Sequence, residues 1–226
     1  MFKKIIKKII FHPLISKKIT VFLLKLMNKA YYLLGIFVTA AEKGVHPKHR
    51  LTDYHRFFLD NVNSEDRVLD AGCGHGLVAR DVALIVKEVI CIDLNEKHIE
   101  GARQNCRDVP AGRIKFIHGD ATAYDFKHSF DKVILSNVLE HIEDRVGFLI
   151  KIKKLAPVFL LRVPMINRDW MTLYKKELGL EYRLDSTHFI EYTLESFKAE
   201  LEKAGLEIES YSIQFGEIWA KAESRA

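Results

Sequence analysis

The chain has 226 residues, 48% of them hydrophobic and 29% charged, which is ordinary globular composition and excludes wholesale disorder. Its net charge of +5 is uneven: residues 1–41 hold eight lysines and no acid, so the remainder is net negative and lacks the basic cleft expected of a nucleic-acid enzyme. Three cysteines, Cys73, Cys91 and Cys106, are odd in number and lack paired ligand spacing, so neither a disulfide framework nor a zinc site is expected, and reduced thiols in the cytoplasm are.

The first element is a basic amphipathic extension, residues 1–41. Phe2, Ile5, Ile6, Ile9 and Ile10 fall at helical spacing, with Lys3, Lys4, Lys7 and Lys8 on the other face. His12-Pro13 interrupts this helix. A second pattern puts Ile15, Ile19, Phe22, Leu23, Leu26, Ala30, Leu33, Leu34 and Phe37 on one side and Lys18, Lys25 and Lys29 opposite. The longest uncharged run, Ala30 to Ala41, is shorter than the roughly 18 apolar residues a bilayer span needs. The segment therefore reads as an interfacial helix: apolar face in the acyl boundary, residues 1–29 offering lysines to an anionic membrane surface. Residues 30–41 suit packing on the domain as a lid equally well. Val38-Thr39-Ala40 has the small-residue look of a signal-cleavage site, but Lys25 and Lys29 interrupt the apolar region such a signal needs.

Residues 42–226 read as one domain. Leu51–Val62 is expected as a helix with Tyr54, Phe57, Phe58 and Val62 inward. Short apolar runs then alternate with helical patterns. Strands are expected at Arg67–Ala71, Val89–Asp93, Ile114–His118, Lys132–Ser136 and Val158–Val163, and helices at Gly76–Val86, Glu96–Cys106, Asp144–Leu155 and Leu194–Ala204. Such alternation implies a parallel, doubly wound Rossmann-like α/β sheet. Strands near Glu207–Ile213 and Glu217–Ala222, joined through Gln214-Phe215-Gly216, read as an antiparallel hairpin near one edge.

Val68-Leu69-Asp70-Ala71-Gly72-Cys73-Gly74-His75-Gly76 is the strongest signal. A buried strand runs into a bend where Gly72 and Gly74 allow close backbone approach and positive φ. The spacing is GxGxG, with Leu77 where a dinucleotide fingerprint has its third glycine. Asp70 can accept a hydrogen bond from a bound amino group and would sit awkwardly beside a pyrophosphate. Asp93, followed by Leu94, ends the second strand, where an acid can grip two ribose hydroxyls or cap the next helix. Asp120, before Ala121, ends the third and can accept from an adenine amino group or close a turn. The fourth strand ends in Ser136-Asn137-Val138-Leu139-Glu140-His141, where open α/β sheets place ligands.

These segments, in this order and spacing, resemble the class I S-adenosylmethionine-dependent methyltransferases, specifically the small-molecule methyltransferase type 11-like group, over Leu51 to Ala222. The resemblance implies seven strands in the order 3-2-1-4-5-7-6 with strand 7 antiparallel. It implies S-adenosyl-L-methionine as cofactor, with Asp70, Gly72 and Gly74 at its methionine part, Asp93 at the ribose, Asp120 and Ala121 at the adenine and Asn137 by the sulfonium, and with Leu94 also among the cofactor-binding residues. The basic extension is not part of the shared pattern.

Residues 164–193 form a polar, aromatic insertion, which the resemblance puts over the acceptor pocket. His188 is the preferred general base for a hydroxyl acceptor and His141 the second candidate, although His141 also suits a capping role behind the fourth strand. No metal is expected. The implied function is methyl transfer to a small-molecule acceptor, an oxygen on a sugar, lipid or quinone-like compound, by a cytoplasmic protein peripheral on the inner membrane face. A nicotinamide-dependent oxidoreductase and a non-catalytic cofactor-binding module are the alternatives. No nucleic acid is expected, since Asn137 lacks the Asn-Pro-Pro-Tyr pattern of base amino methylation.

Overall fold

The structure, a computed structural model, describes residues 11–225. The first basic helix expected from the sequence, with Phe2 to Ile10 and their lysines, lies outside those residues. The helices are α1 (Pro13–Ala41), α2 (Lys48–Leu51), α3 (Arg56–Asp60), α4 (Leu77–Ala83), α5 (Glu96–Asn105), α6 (Arg145–Ile152), α7 (Trp170–Glu177) and α8 (Leu194–Ala204). The strands are β1 (Arg67–Ala71), β2 (Glu88–Asp93), β3 (Ile114–His118), β4 (Lys132–Ser136), β5 (Val158–Pro164), β6 (Leu206–Gln214) and β7 (Glu217–Ser224).

The seven strands pair in the order β3-β2-β1-β4-β5-β7-β6, with β7 antiparallel to both neighbours and the rest parallel, as the resemblance implied. The central strands are buried on both faces, which explains their unbroken apolar runs. Edge strands β3 and β6 alternate with exposed positions. Leu69, Val133, Leu135, Phe159 and Leu161 form the middle of the core, against Leu149 of α6 and Phe197 and Leu201 of α8.

Local chemistry sets most boundaries. α8 starts at a reciprocal Thr193–Ser196 capping box and stops at Gly205, which is left-handed. α4 is shorter than the expected Gly76–Val86, because Gly76 has φ +73 and cannot join the helix, and the chain after Ala83 turns to bond Lys87 N–H to the Asp66 carbonyl. The expected helix over 51–62 is two short ones. Thr52 closes its hydroxyl on the Lys48 carbonyl and Asp53 takes φ +48, breaking the run, yet Tyr54, Phe58 and Val62 are buried as read. α7 was not foreseen within the 164–193 insertion.

By contacts the chain forms two compact units. One contains the chain up to Tyr54 together with Leu173–Tyr182; the other contains His55–Thr172 and the chain from Arg183 onward. In the first, α1 is continuous for 29 residues, with His12 extended before it and Pro13 at its first turn, so the helix begins at the His12-Pro13 break read from the sequence. An 18-residue window of it has mean hydropathy 1.5, so by length and composition α1 can cross a bilayer, which corrects the estimate taken from the uncharged run alone. The apolar side read from the sequence stands exposed: Ile19, Phe22, Leu23, Leu26, Leu34 and Phe37 are all open to solvent. The covered positions Ser16, Thr20, Leu24 and Asn28 recur every fourth residue on a different side.

Candidate active site

The carboxyl ends of β1 to β4 gather the residues that the glycine motif and the three acids singled out. Asp70, at the end of β1, is 1% exposed, and neither carboxylate oxygen has a hydrogen-bond partner. Burial, reinforced by the Asp93 charge and opposed by the Arg162 guanidinium, pushes its pKa up to about 7. A lone buried carboxylate is costly unless something polar completes it, so a cationic amino group is a fitting ligand.

The bend beside it is built for close approach. Gly72 has φ +77, and a Cβ there would meet Val138 Cγ2 at 2.7 Å, so its hydrogen lets the β1 loop close on the β4 loop. Gly74 has φ +53 with nothing within 4 Å of a built Cβ. Asp93 Oδ2 accepts from Gly74 N–H at 2.9 Å, while Oδ1 accepts from Asn95 N–H at 2.8 Å and lies 3.1 Å from His98 Nδ1. Asp93 thus ties the glycine bend to the β2 tip, a role its sequence position did not disclose, besides bracing the turn before α5. Leu94 is 73% exposed and offers an apolar surface at that tip. Asp120 is exposed and its Oδ1 accepts from both the N–H and the hydroxyl of Thr122. The turn-closing alternative for Asp120 is therefore realised; Ala121 is half-buried beside it.

Asn137 takes φ +56, and its side chain is held by residues of β5 and β7. Arg162 Nε donates to Asn137 Oδ1 at 2.8 Å, and Asn137 Nδ2 donates to Glu217 Oε1 at 3.4 Å. Arg162 itself lies over the Trp219 ring at 4.9 Å. Sequence reasoning gave no role to Arg162 or Glu217. The available signal was a lone cation inside the apolar β5 run.

Three residues past Asn137, Glu140 is fully buried, and both its oxygens lack partners. Burial pushes its pKa up to about 8. The two histidine candidates, 47 positions apart in sequence, meet here: their ring centroids are 4.6 Å apart, edge to face. His141 Nδ1 lies 2.9 Å from Thr187 Oγ1, whose hydroxyl bonds Asp185. Burial, then the neighbouring His188, hold the His141 imidazole below its usual pKa, so it is neutral at pH 7 and able to take a proton. His188 is 5% exposed, its Nδ1 is 3.4 Å from Glu191 Oε1, and Arg183 donates to its backbone carbonyl at 2.7 Å. Glu191 also pairs with Arg168. Ligand atoms of Glu140, His141 and His188 all lie within 4.8 Å of one another, a set able to hold a metal ion, although no metal was expected from the sequence.

Residues 69–156 match the family model described as a methyltransferase domain. The mitochondrial ubiquinone biosynthesis O-methyltransferase of Schizosaccharomyces pombe is 32% identical over 111 residues, covering 48% of this chain and 40% of that protein. The ubiquinone biosynthesis O-methyltransferase of Bradyrhizobium diazoefficiens is 32% identical over 136 residues, 57% of this chain and 53% of that protein. The chain thus spans about half the length of the curated relatives it matches. Among solved structures, magnesium protoporphyrin IX methyltransferase from Synechocystis PCC 6803 with bound SAH shares the fold at TM-score 0.62 and 22% identity, covering 82% of this chain and 87% of that one.

Proposed function

We propose that this chain, which carries a methyltransferase domain of the class I S-adenosylmethionine-dependent fold, transfers a methyl group from S-adenosylmethionine to an oxygen of a small lipid-, sugar- or quinone-like acceptor at a membrane surface. The observation that carries the cofactor reading is Asp70: a buried, unpartnered carboxylate beside a glycine bend with no room for a side chain at Gly72. S-adenosylmethionine would supply, when bound, a sulfonium methyl open to in-line attack by an oxygen nucleophile, with S-adenosylhomocysteine as the leaving group. The preference for oxygen rests on the names of the O-methyltransferases to which the chain is similar.

In this reading Asp70 accepts from the amino group of the methionine part, with Gly72 and Gly74 forming the close wall beside it. Asp93 orders that bend through the Gly74 amide and, with Leu94, faces the ribose. Asp120 and Ala121 flank the adenine. Asn137, fixed by Arg162 and Glu217, borders the sulfonium. Much of the rate comes from holding acceptor and methyl in line and excluding water. His188 takes the acceptor proton, with Glu191 at 3.4 Å steadying the imidazolium that forms. His141 packs edge-on against it. The test is His188→Ala with isothermal titration of S-adenosylhomocysteine. The expected result is near-normal cofactor affinity with turnover down about 100-fold, the usual worth of a general base. Unchanged turnover removes His188 from the role, and binding of NADH in place of S-adenosylhomocysteine removes the whole reading. Cofactor binding without transfer to any acceptor supports the non-catalytic module.

A second reading of proton removal is favoured by the Glu140, His141 and His188 cluster: a divalent cation held there would lower the pKa of an acceptor hydroxyl. Loss of turnover on chelation, restored by a divalent metal, supports it; chelator-resistant turnover leaves His188 acting alone.

The membrane part rests on α1. Its apolar side is exposed over most of the helix, and Lys18, Lys25 and Lys29, which the sequence reading put opposite, lie along one border of that side at helical spacing. We read the helix as lying on the bilayer rather than crossing it. Asn28, near its middle, binds Lys175 and the Glu181 carbonyl, polar groups that a spanning helix would carry into the hydrocarbon centre. Cytoplasmic residence at the inner membrane face accords with three unpaired cysteines. Co-sedimentation with anionic vesicles, lost on removal of residues 1–29, is the expected result; equal partitioning of both forms defeats it.

A further inference from the structure

The segment Leu173–Tyr182 lies inside the 164–193 insertion, yet it packs as part of the N-terminal unit. Two hydrogen bonds converge on one side chain to hold it there. Lys175 Nζ donates to Asn28 Oδ1 at 2.7 Å, and Asn28 Nδ2 donates to the Glu181 carbonyl at 2.9 Å. Asn28 thus uses both ends of its amide and bridges 147 and 153 positions of sequence. Between those anchor points the α7 end turns back on itself: Leu180 N–H bonds the Lys175 carbonyl and Gly179 takes φ +68. The segment is therefore a closed turn clipped to α1 at Lys175 and Glu181.

The clip sits on the covered row Ser16, Thr20, Leu24 and Asn28 of α1 and leaves the apolar side open. A membrane can take the open side without competing for Asn28. The segment is also covalently continuous with Arg183, which donates to the His188 carbonyl. Both ends of the turn are tied to the helix that faces lipid, and the chain beyond Tyr182 runs on toward the proposed base.

We propose that Asn28 is a positioning residue that couples attachment of α1 to an anionic bilayer with the ordering of residues 173–182 of the insertion. This rests on the membrane reading above. In the unattached protein the clip opens and closes with local fraying of α1, and fixing the helix on a surface holds it closed. The gain is limited to what two hydrogen bonds and their chelated geometry contribute, so the effect is graded.

The test uses the full chain and Asn28→Leu, which removes both hydrogen bonds and lies away from the apolar side. Hydrogen exchange at residues 173–182 is followed with and without phosphatidylcholine vesicles containing phosphatidylserine, and vesicle binding is followed by co-sedimentation. The parent is expected to bind and to slow exchange of this segment about tenfold when vesicles are added. Asn28→Leu is expected to bind equally well, to exchange about tenfold faster at 173–182 without vesicles, and to show no further change when they are added. Asn28→Asp, which retains an acceptor for Lys175 but loses the donor to Glu181, falls between the two. Equal exchange in parent and Asn28→Leu, or a vesicle response that survives the substitution, overturns the coupling while leaving membrane binding intact. A parent that does not bind vesicles overturns both, and exchange without vesicles then reports the clip as purely structural.

Discussion

The strand-tip cluster and the insertion that follows β5 are both rich in polar side chains, but they hold them differently. At the tips of β1 and β2 the contacts are short-range or run between adjacent strands. Asp93 bonds Gly74 next door in the sheet and Asn95 two residues on, and Asp120 bonds Thr122. In the insertion the contacts join its two ends to each other and tie its C-terminal end to the β4 loop and to α8. Arg168 pairs with Glu191, His141 meets His188, and Tyr192 donates to Glu200 of α8 at 2.6 Å. The proposed cofactor half is a local motif at the strand tips, whereas the proposed acceptor half depends on the β4 loop, both ends of the insertion and α8 coming together. Substitutions in the first should change binding with the fold kept, and those in the second should change stability and ordering together.

The largest expected effect tests the first half of that contrast. Asp70→Asn keeps shape and removes the charge, so affinity for S-adenosylhomocysteine should fall about 100-fold, roughly 2.7 kcal/mol, by isothermal titration. The parent's affinity should rise with pH through about 7, because the cationic amino group binds the ionised carboxylate, whose pKa in the free protein is near that value. The variant should show no such rise from this group. Stability should move the other way. The folded pKa is raised above the ordinary 3.8, so between about pH 4 and 7 the unfolded chain ionises while the fold retains the proton, and stability is lost as pH increases. Asp70→Asn escapes this and should melt higher at pH 8, by on the order of 2–4 kcal/mol. A variant that binds normally would dissolve the distinction between the two halves.

A sharper comparison lies within the bend. Gly72→Ala meets both a left-handed φ and the Val138 methyl at 2.7 Å, so about 2 kcal/mol of destabilisation and a clear loss of cofactor affinity are expected. Gly74→Ala meets only the backbone strain and should cost about 1 kcal/mol. Equal melting temperatures for the two would mean that the approach of the β4 loop contributes nothing.

Legibility in the sequence follows the same line. Strand boundaries at Arg67–Ala71, Ile114–His118 and Lys132–Ser136 were read without error, because buried apolar runs flanked by turn chemistry are local signals. The strand order came from resemblance and was observed as implied. What stayed hidden was non-local. Nothing near Asn137 announces that Arg162 and Glu217 grip it, and nothing near Glu140 announces that it is buried without a partner. The proximity of His141 and His188 depends on a chain reversal of more than forty residues. The α1 pattern was read correctly as two-sided, but only packing shows that Asn28, rather than the apolar side, makes the contact.

The smallest expected effect tests the assembled half. Tyr192 is fully buried, forms an isolated parallel bridge with Met165, and shares Glu200 with Arg145, whose Nε donates at 2.7 Å. Tyr192→Phe removes one hydroxyl from this network and leaves Glu200 still paired with Arg145. The cost should therefore be about 1 kcal/mol by denaturant melting rather than the larger loss of an unpartnered buried charge. Because the same residue fastens the C-terminal end of the insertion to α8, exchange at residues 184–192 should quicken while S-adenosylhomocysteine binding stays as in the parent. If cofactor affinity fell along with stability, the two halves would be one cooperative site, and the strand tips would not be a motif that stands by itself.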